Sequence, residues 1–436
     1  MRCPVGPICT ALLCLFLSGC LKPAPPRGVT DLKYYFLGWP DDMVLQQRMI
    51  DAFERKNPDV HIELVQINPG QFSEKMQTMI VGGIVPDLMS LELNSYYEWI
   101  ERGMLADVTD VMEGAEREQH MHFMPIVPEQ VGYRGRYYGV PYNMCGVILQ
   151  LNLDIFRKGG VPVPPAGGIT WDWVLQVAPK LSRRAGNPSA PGEFFFALPD
   201  MTSMLFTYGA EVFDDPDRPR KVLVDSPQAA EMCRYIRKLS ATKAVISRAE
   251  LTNSSNIGME TLYLRGINAA RIHGLWTRPG QYGIPKKFDW DVRPFPAGPG
   301  GQSVTADGAY MAGIYPGSPH RAAAKRFLRF CLSPEGVKIN CSTGDFMPLF
   351  REMLDQPGIM PPPDCPGRHY YFDTMESGRC RFPVHGPGLA ELRRIIDSRL
   401  GQVTTEPDVP IPVILKTLET EIYRWLANEK QDGFYR

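Results

Sequence analysis

Few residues of this 436-residue chain are placed to do chemistry, and the first of them is Cys20. An apolar run from Ile8 to Leu17 ends in Leu17-Ser18-Gly19-Cys20 and gives way to Pro23, Pro25, Pro26 and Gly28. At about ten residues the run falls well short of the roughly 20 that span a bilayer as a helix, so it reads as the apolar part of a secretory signal. A cysteine closing such a run behind small residues is the pattern of a bacterial lipobox. Cys20 would take lipid and become the first residue of the mature chain, with the proline-rich stretch as a flexible tether. Cys3, Cys9 and Cys14 leave with the signal, and Cys145, Cys233, Cys331, Cys341, Cys365 and Cys380 remain. An exported chain with an even count can form disulfides. Cys365 and Cys380 flank a loop rich in Pro and Gly and make the best pair, whereas Cys145 and Cys233 read as small buried hydrophobes. None has the CxxC spacing of a zinc or redox site.

Catalytic patterns are scarce. The sequence holds no G-x-S-x-G elbow, no H-E-x-x-H, no EF-hand loop and no Walker loop. Of the seven histidines, His61 falls on the polar side of a strand, His122, His369 and His385 fall near loops, and His273 precedes Gly274. They suggest no metal site. Asp41-Asp42 and Asp214-Asp215 sit in loop or helix-start contexts where capping accounts for them. A glycosidase would need two carboxylates converging across a cleft, and neighbouring Asp pairs do not supply that. The reading is a protein with no catalytic residues and no cofactor.

The elements that must position any site follow from periodicity. "DLKYYFLGW" reads as a strand, "DDMVLQQRMIDAFERKNP" as a helix with Leu45, Met49, Ala52 and Phe53 on one face, and "VHIELVQI" as an alternating strand. "FSEKMQTMIVGG", "PDLMSLEL" and "SYYEWIERGM" continue as helix, strand and helix. That alternation implies a parallel sheet with right-handed crossovers. Ser226-Pro227, Ser318-Pro319 and Ser333-Pro334 each read as an N-cap followed by proline in the first helical position. Pro179 should kink or end the helix that follows Thr170. "ILKTLETEIYRWL" reads as a terminal helix. Without its signal the chain has roughly 400 residues, which suits two lobes better than one simple domain. Its formal net charge of −1 lacks the basic face of a nucleic-acid binder. No second apolar stretch is long enough to span a membrane.

Several phrases, in order, resemble the extracellular solute-binding proteins of bacterial ABC importers, in the carbohydrate-binding family that includes the maltose-binding proteins. "MIDAFERKNPDVHIELV" is similar to the family's first helix and second strand. "FSEKMQTMIVGGIVPDLMSLE" resembles its segment ending in Pro-Asp, and "YYGVPYNM" its Gly-(Val/Ile)-Pro-Tyr strand. "LNLDIFRKGGVPVPPAGGITWDWVL", "GLWTRPG", "VRPFPAGPGG" and "SPHRAAAKRFLRFCLSPEG" resemble later landmarks. Leu151 stands where the family often has Tyr, Trp173 stands where it often has Glu, and the segment from Pro357 to Phe382 has little counterpart.

The resemblance implies an α/β, two-lobed periplasmic-binding-protein-like fold with a ligand cleft between lobes and hinge crossings. The first lobe would hold 31–142 plus about 305–345, and the second 143–304 plus about 346–436. The cleft would capture a sugar or oligosaccharide and present it to an ABC importer permease. Sugar recognition needs aromatic platforms for C–H faces and polar groups for hydroxyls. On the family's pattern these are Trp39, Glu92, Asn94, Asn143, Trp276, Asp307 and Gly308, with Gly274 allowing close backbone approach. Met201 to Ser203 would line the second lobe. Trp171, Trp173, Tyr96, Tyr97 and Trp99 read as packing, and Asp87 as structural. The expected protein is a monomer, lipid-anchored through Cys20 and facing the periplasm or exterior. Alternatives are a binder of a polyol or glycerol phosphate, for which Arg271 and Arg278 would serve, a surface glycan hydrolase, or a sensor presenting solute to a receptor kinase.

Overall fold

A computed structural model describes residues 28–435 apart from 39, 69–70, 145–146, 183–193, 247–258, 275–286, 306–307, 344–345, 355, 358, 360–365, 371–372 and 374–380. Strict alternation makes Val60–Ile67 (β2) a strand, with Val60 and Ile62 buried and His61 exposed. It pairs in parallel with Thr30–Leu37 (β1), in register from Thr30 opposite Val60 to Leu37 opposite Ile67. The helix between them, Pro40–Lys56 (α1), buries Leu45, Met49, Ala52 and Phe53 as its period requires. Asn57 ends it by donating from Nδ2 to the Phe53 carbonyl at 2.9 Å. Phe72–Val81 (α2) leads to Leu88–Glu92 (β3), which pairs with the other side of β1, and then to Leu93–Glu101 (α3).

Thr109–Gln119 (α4), Ile126–Val131 (α5) and the small hairpin Gly132–Tyr133 (β4) with Arg136–Tyr137 (β5) bring the chain to Val140–Met144 (β6). A second sheet follows. Its centre is Ile148–Asn152 (β7), succeeded by Leu153–Lys158 (α6), Trp171–Leu181 (α7), Phe196–Ala197 (β8), Met201–Thr207 (α8) and Pro227–Ala241 (α9). Val245–Ile246 (β9) pairs with β8. After Met259–Leu264 (α10), Ala270–His273 (β10) and Trp290–Arg293 (β11) flank β7, both antiparallel to it.

The chain then returns. Ala309–Ile314 (β12) inserts antiparallel between β3 and β6, giving the first sheet the order β2-β1-β3-β12-β6. Arg321–Cys331 (α11) and Pro334–Cys341 (α12) cover it beside α1. The last helices, Leu389–Thr405 (α13) and Ile411–Gln431 (α14), pack on each other and on α9, with α13 also meeting α8 and α3. One continuous apolar cluster runs through both sheets, and a small satellite forms around Phe194, Ala197 and Ile246.

Local chemistry explains most boundaries. Ser226 and Ser333 cap α9 and α12, their Oγ atoms accepting from Ala229 N at 3.2 Å and Gly336 N at 3.1 Å. Ser318 does not start a helix. It donates to Asp87 Oδ1 at 2.5 Å and accepts from His320 N at 3.0 Å, so α11 begins only at Arg321. Pro179 lies inside α7 but near its end, where few hydrogen bonds remain to be lost. Of the aromatic residues read as packing, Trp171, Tyr96, Tyr97 and Trp99 are buried and Trp173 is half-buried: Trp171 meets Phe196, Tyr235 and Phe295 edge-on, and Trp173 stacks on Phe156. Tyr96 and Tyr97 donate to the carbonyls of Val131 and Gln130. Cys233, Cys331 and Cys341 are free and buried, and burial pushes each thiol up to about 12. Cys20, Cys145, Cys365 and Cys380 lie outside the described residues.

Asp87 joins three strands. Its Oδ2 accepts from Lys33 N at 2.8 Å, its own N–H donates to the Lys33 carbonyl at 3.1 Å, and Oδ1 takes the Ser318 hydroxyl just beyond β12. With Asp87 only 5% exposed, Asp87→Ala would strand the buried Ser318 hydroxyl and the part-buried Lys33 N–H. Urea unfolding should show a loss of about 2–3 kcal/mol with an unchanged slope. A change below about 0.5 kcal/mol would assign Asp87 no structural weight.

Candidate functional site

The parallel strands β1, β2 and β3 all finish at one edge of the first sheet, the edge where open α/β sheets present ligand-binding loops. Because β12 runs the opposite way, it begins there. Register then lines up three positions: Tyr310 stands opposite Glu92 on β3 and opposite Asn143 on β6. Glu92 is the last residue of β3 and precedes α3, so the strand-to-helix turn fixes its place.

Behind this row lies a small cavity of about 40 Å³ lined by Glu92, Asn94, Gly308, Tyr310, Phe382 and Arg393. That volume suits a water or one hydroxyl group, not a sugar ring. Arg393 reaches in from α13 and donates from Nη1 to Asn94 Oδ1 at 3.3 Å. Gly308 is required by close packing. A Cβ there would lie 2.8 Å from Leu93 Cδ2 and 3.0 Å from Phe382 Cζ. Beneath the row, Tyr142 stacks obliquely on Phe36 at 5.7 Å.

On the second sheet, Gly274 extends β10 and its carbonyl accepts from Gln150 Nε2 at 2.9 Å. Gln150 Oε1 in turn accepts from Arg271 Nε at 3.1 Å and Nη2 at 3.0 Å. The Arg271 guanidinium lies over the Tyr263 ring at 4.8 Å and the residue is 3% exposed. Arg271 is therefore a structural cation that orients Gln150 and, through it, Gly274. The sequence left Arg271 open as a partner for a phosphate; here it is buried against Gln150 and Tyr263. Met201, Thr202 and Ser203 are buried in the first turn of α8. Asp200 caps that turn through Ser203 N, and Met201 N donates to Asp397 Oδ1 on α13 at 2.8 Å.

The fold thus brings Glu92, Asn94 and Gly308 into one cavity, with the Asn143 backbone in the adjoining strand. Gly274 sits separately on the second sheet. Trp39, Trp276 and Asp307 lie outside the described residues, as does Arg278. Sequence reasoning missed Tyr310, Phe382 and Arg393. Strand alternation after Gly308 could have found Tyr310. Arg393 carried no local signal, because its partner Asn94 lies 299 positions away.

The end of α14 closes against the first sheet's side of the molecule. Tyr435 donates to the Pro387 carbonyl at 2.5 Å. Burial, followed by the charges of Asp432, Glu98 and Glu391, pushes the Glu429 carboxyl up to about 6. A carboxyl raised above its unfolded value of 4.5 holds extra protons in the folded state. It opposes folding above pH 6, and the penalty fades as pH falls toward 4.5. Glu429→Gln should therefore raise the melting temperature at pH 7.5 and leave it unchanged near pH 4.5. The reverse pattern in a pH series of thermal melts would contradict the assignment.

A family model for bacterial extracellular solute-binding proteins matches residues 44–338. An uncharacterized lipoprotein from the oleD 5′ region of Streptomyces antibioticus is 26% identical over 368 residues, spanning 80% of this chain and 77% of that protein. An ABC substrate-binding protein of Listeria monocytogenes, solved in complex with cycloalternan, superposes with a TM-score of 0.76 at 24% identity, covering 93% of this chain and 100% of that one. A Mycobacterium tuberculosis protein, UgpB, solved in complex with glycerophosphocholine, gives a TM-score of 0.75 at 15% identity, with 93% and 100% coverage. These structural matches establish a two-lobed solute-binding fold, as the sequence led one to expect.

Proposed function

This chain belongs to the family of bacterial extracellular solute-binding proteins, which work with ABC importer permeases, and from that premise we propose that its solute is a sugar or oligosaccharide held between the two lobes. The observation carrying the reading is the polar pair of Glu92 and Tyr310 at the sheet edge, with Asn94 and Arg393 beside it. A carboxylate, an amide, a phenol and a guanidinium together offer acceptors and donors for successive hydroxyls. Closure about the crossings would trap the solute. The structure of the Listeria protein with an oligosaccharide supports this class of ligand. Trp39 and Trp276 are the stacking platforms in this reading, and Asp307 joins the polar set. We place the lobes at 31–142 with 305–345 and at 143–304 with 346–436. The protein binds without turnover and acts as a monomer. Lipid on Cys20 holds it at the membrane beside its permease.

A second reading rests on Arg393. A guanidinium at the sheet edge would also pair with a phosphodiester, and the Mycobacterium structure holds such a compound. The two are separable by titrating intrinsic tryptophan fluorescence with malto-oligosaccharides and with glycerophosphocholine. For an oligosaccharide, Glu92→Gln and Arg393→Ala should each weaken binding roughly ten- to a hundredfold, with no product by chromatography. If Arg393→Ala abolishes phosphodiester binding and no sugar binds, the second reading replaces the first. Release of hydrolysed sugar would overturn both.

A further inference from the structure

A second concavity lies at the other end of the second sheet. β7 has Ile148 opposite His273 at its cleft end and Asn152 opposite Trp290 at its far end. A cavity of about 430 Å³ opens at that far end, between the close of α6, the close of α7, the turn before β10 and the entry to β11. Its volume falls within the range of small-molecule sites. Lys158, Lys180, Arg265 and Lys287 surround it, and all four side chains are exposed. Asp154 is the one carboxylate among its described lining residues, and it is committed: Arg157 pairs with Asp154 at 3.0 Å and with nearby Asp289 at 2.5 Å. Ile155, Leu181 and Phe288 supply an apolar floor, with Phe288 braced edge-on by Tyr263.

Lys158 ends α6, Lys180 lies in the last turn of α7, and Arg265 follows α10, where a cation complements the terminal carbonyls. That accounts for each residue singly. It does not account for Lys287, nor for three helix ends and a fourth cation converging on one concavity with an apolar floor.

We propose that this concavity is a second binding site, distinct from the cleft, for a small phosphorylated molecule with an apolar ring face. The four cations would share the phosphate oxygens, and the ring would lie on Phe288 and Leu181. Like charges held around one cavity repel, so a bound dianion gains from all four at once. The affinity should fall with ionic strength.

Isothermal titration calorimetry on the full-length chain tests this with adenosine 5′-monophosphate, glucose 6-phosphate and inorganic pyrophosphate. Vesicles containing phosphatidylglycerol form a separate arm, since the same phosphate chemistry occurs on a lipid headgroup. We expect salt-sensitive binding tighter than about 1 mM. Lys180→Glu with Lys287→Glu should weaken it roughly tenfold or more, and Arg393→Ala in the cleft should leave it unchanged. Lys180→Gln with Lys287→Gln, milder at these exposed positions, should weaken it in the same direction. Vesicle binding lost in the same variants, without binding of the free phosphates, would make the headgroup the source. Binding that survives both double variants, binding that disappears with Arg393→Ala, or no binding in any arm would overturn the proposal.

Discussion

The placement of β12 governs the rest of the molecule. It lies between β3 and β6, antiparallel to both, and it arrives in the chain long after either neighbour. Buried backbone N–H and C=O groups must find partners. The facing edges of β3 and β6 therefore stay unsatisfied until the chain has built the second sheet and come back. That single requirement puts the end of β6 at Met144 and the start of β12 at Ala309 on the edge where Glu92 ends β3. The site is a consequence of how the first sheet closes. Space for the returning strand is narrow, as Gly313 shows: a Cβ there would meet Leu91 Cδ1 at 2.7 Å and Leu105 Cδ2 at 3.0 Å.

The inserted strand is pinned at both ends. Beyond Ile314, Ser318 and Asp87 fasten it to β1 and β3. Before Ala309, Gly308 nests against Leu93 and Phe382. A slip of one residue between these anchors would turn Tyr310 to the opposite face of the sheet. It would also take Tyr310 out of line with Glu92 and Asn143. The structural carboxylate of Asp87 and the polar row at the far end of the same strands are thus one mechanical system.

Legibility in the sequence followed the range of the interaction. β2 was readable because alternation is local, and the caps of α9 and α12 because serine and its partner N–H are three residues apart. Ser318 looked identical to those caps and was not one, because its partner Asp87 lies 231 positions away. Arg393 was invisible for the same reason, its bond to Asn94 spanning 299 positions. Arg271 stood open in the sequence as a phosphate partner near "HGLWT". Only the register that sets it opposite Gln150 shows that it is buried in the second sheet. Glu92, Asn94 and Gly308 were singled out through family resemblance, since no local spacing distinguishes them from other residues at strand ends, and the fold brings them to one cavity.

The helix α13 touches both sides of the cleft, and the strengths of its two attachments differ. Asp397 accepts from the Met201 amide at 2.8 Å, at the capped first turn of a wholly buried helix. α13 also packs along α8 and α9. Toward the first sheet Arg393 donates to Asn94 at 3.3 Å. Of two hydrogen bonds on one helix face, the longer one, with fewer packed neighbours, yields first when the sheets move relative to each other. α13 is thus held chiefly on the second sheet's side, and Arg393 extends from it toward Glu92 across the weaker of the two attachments.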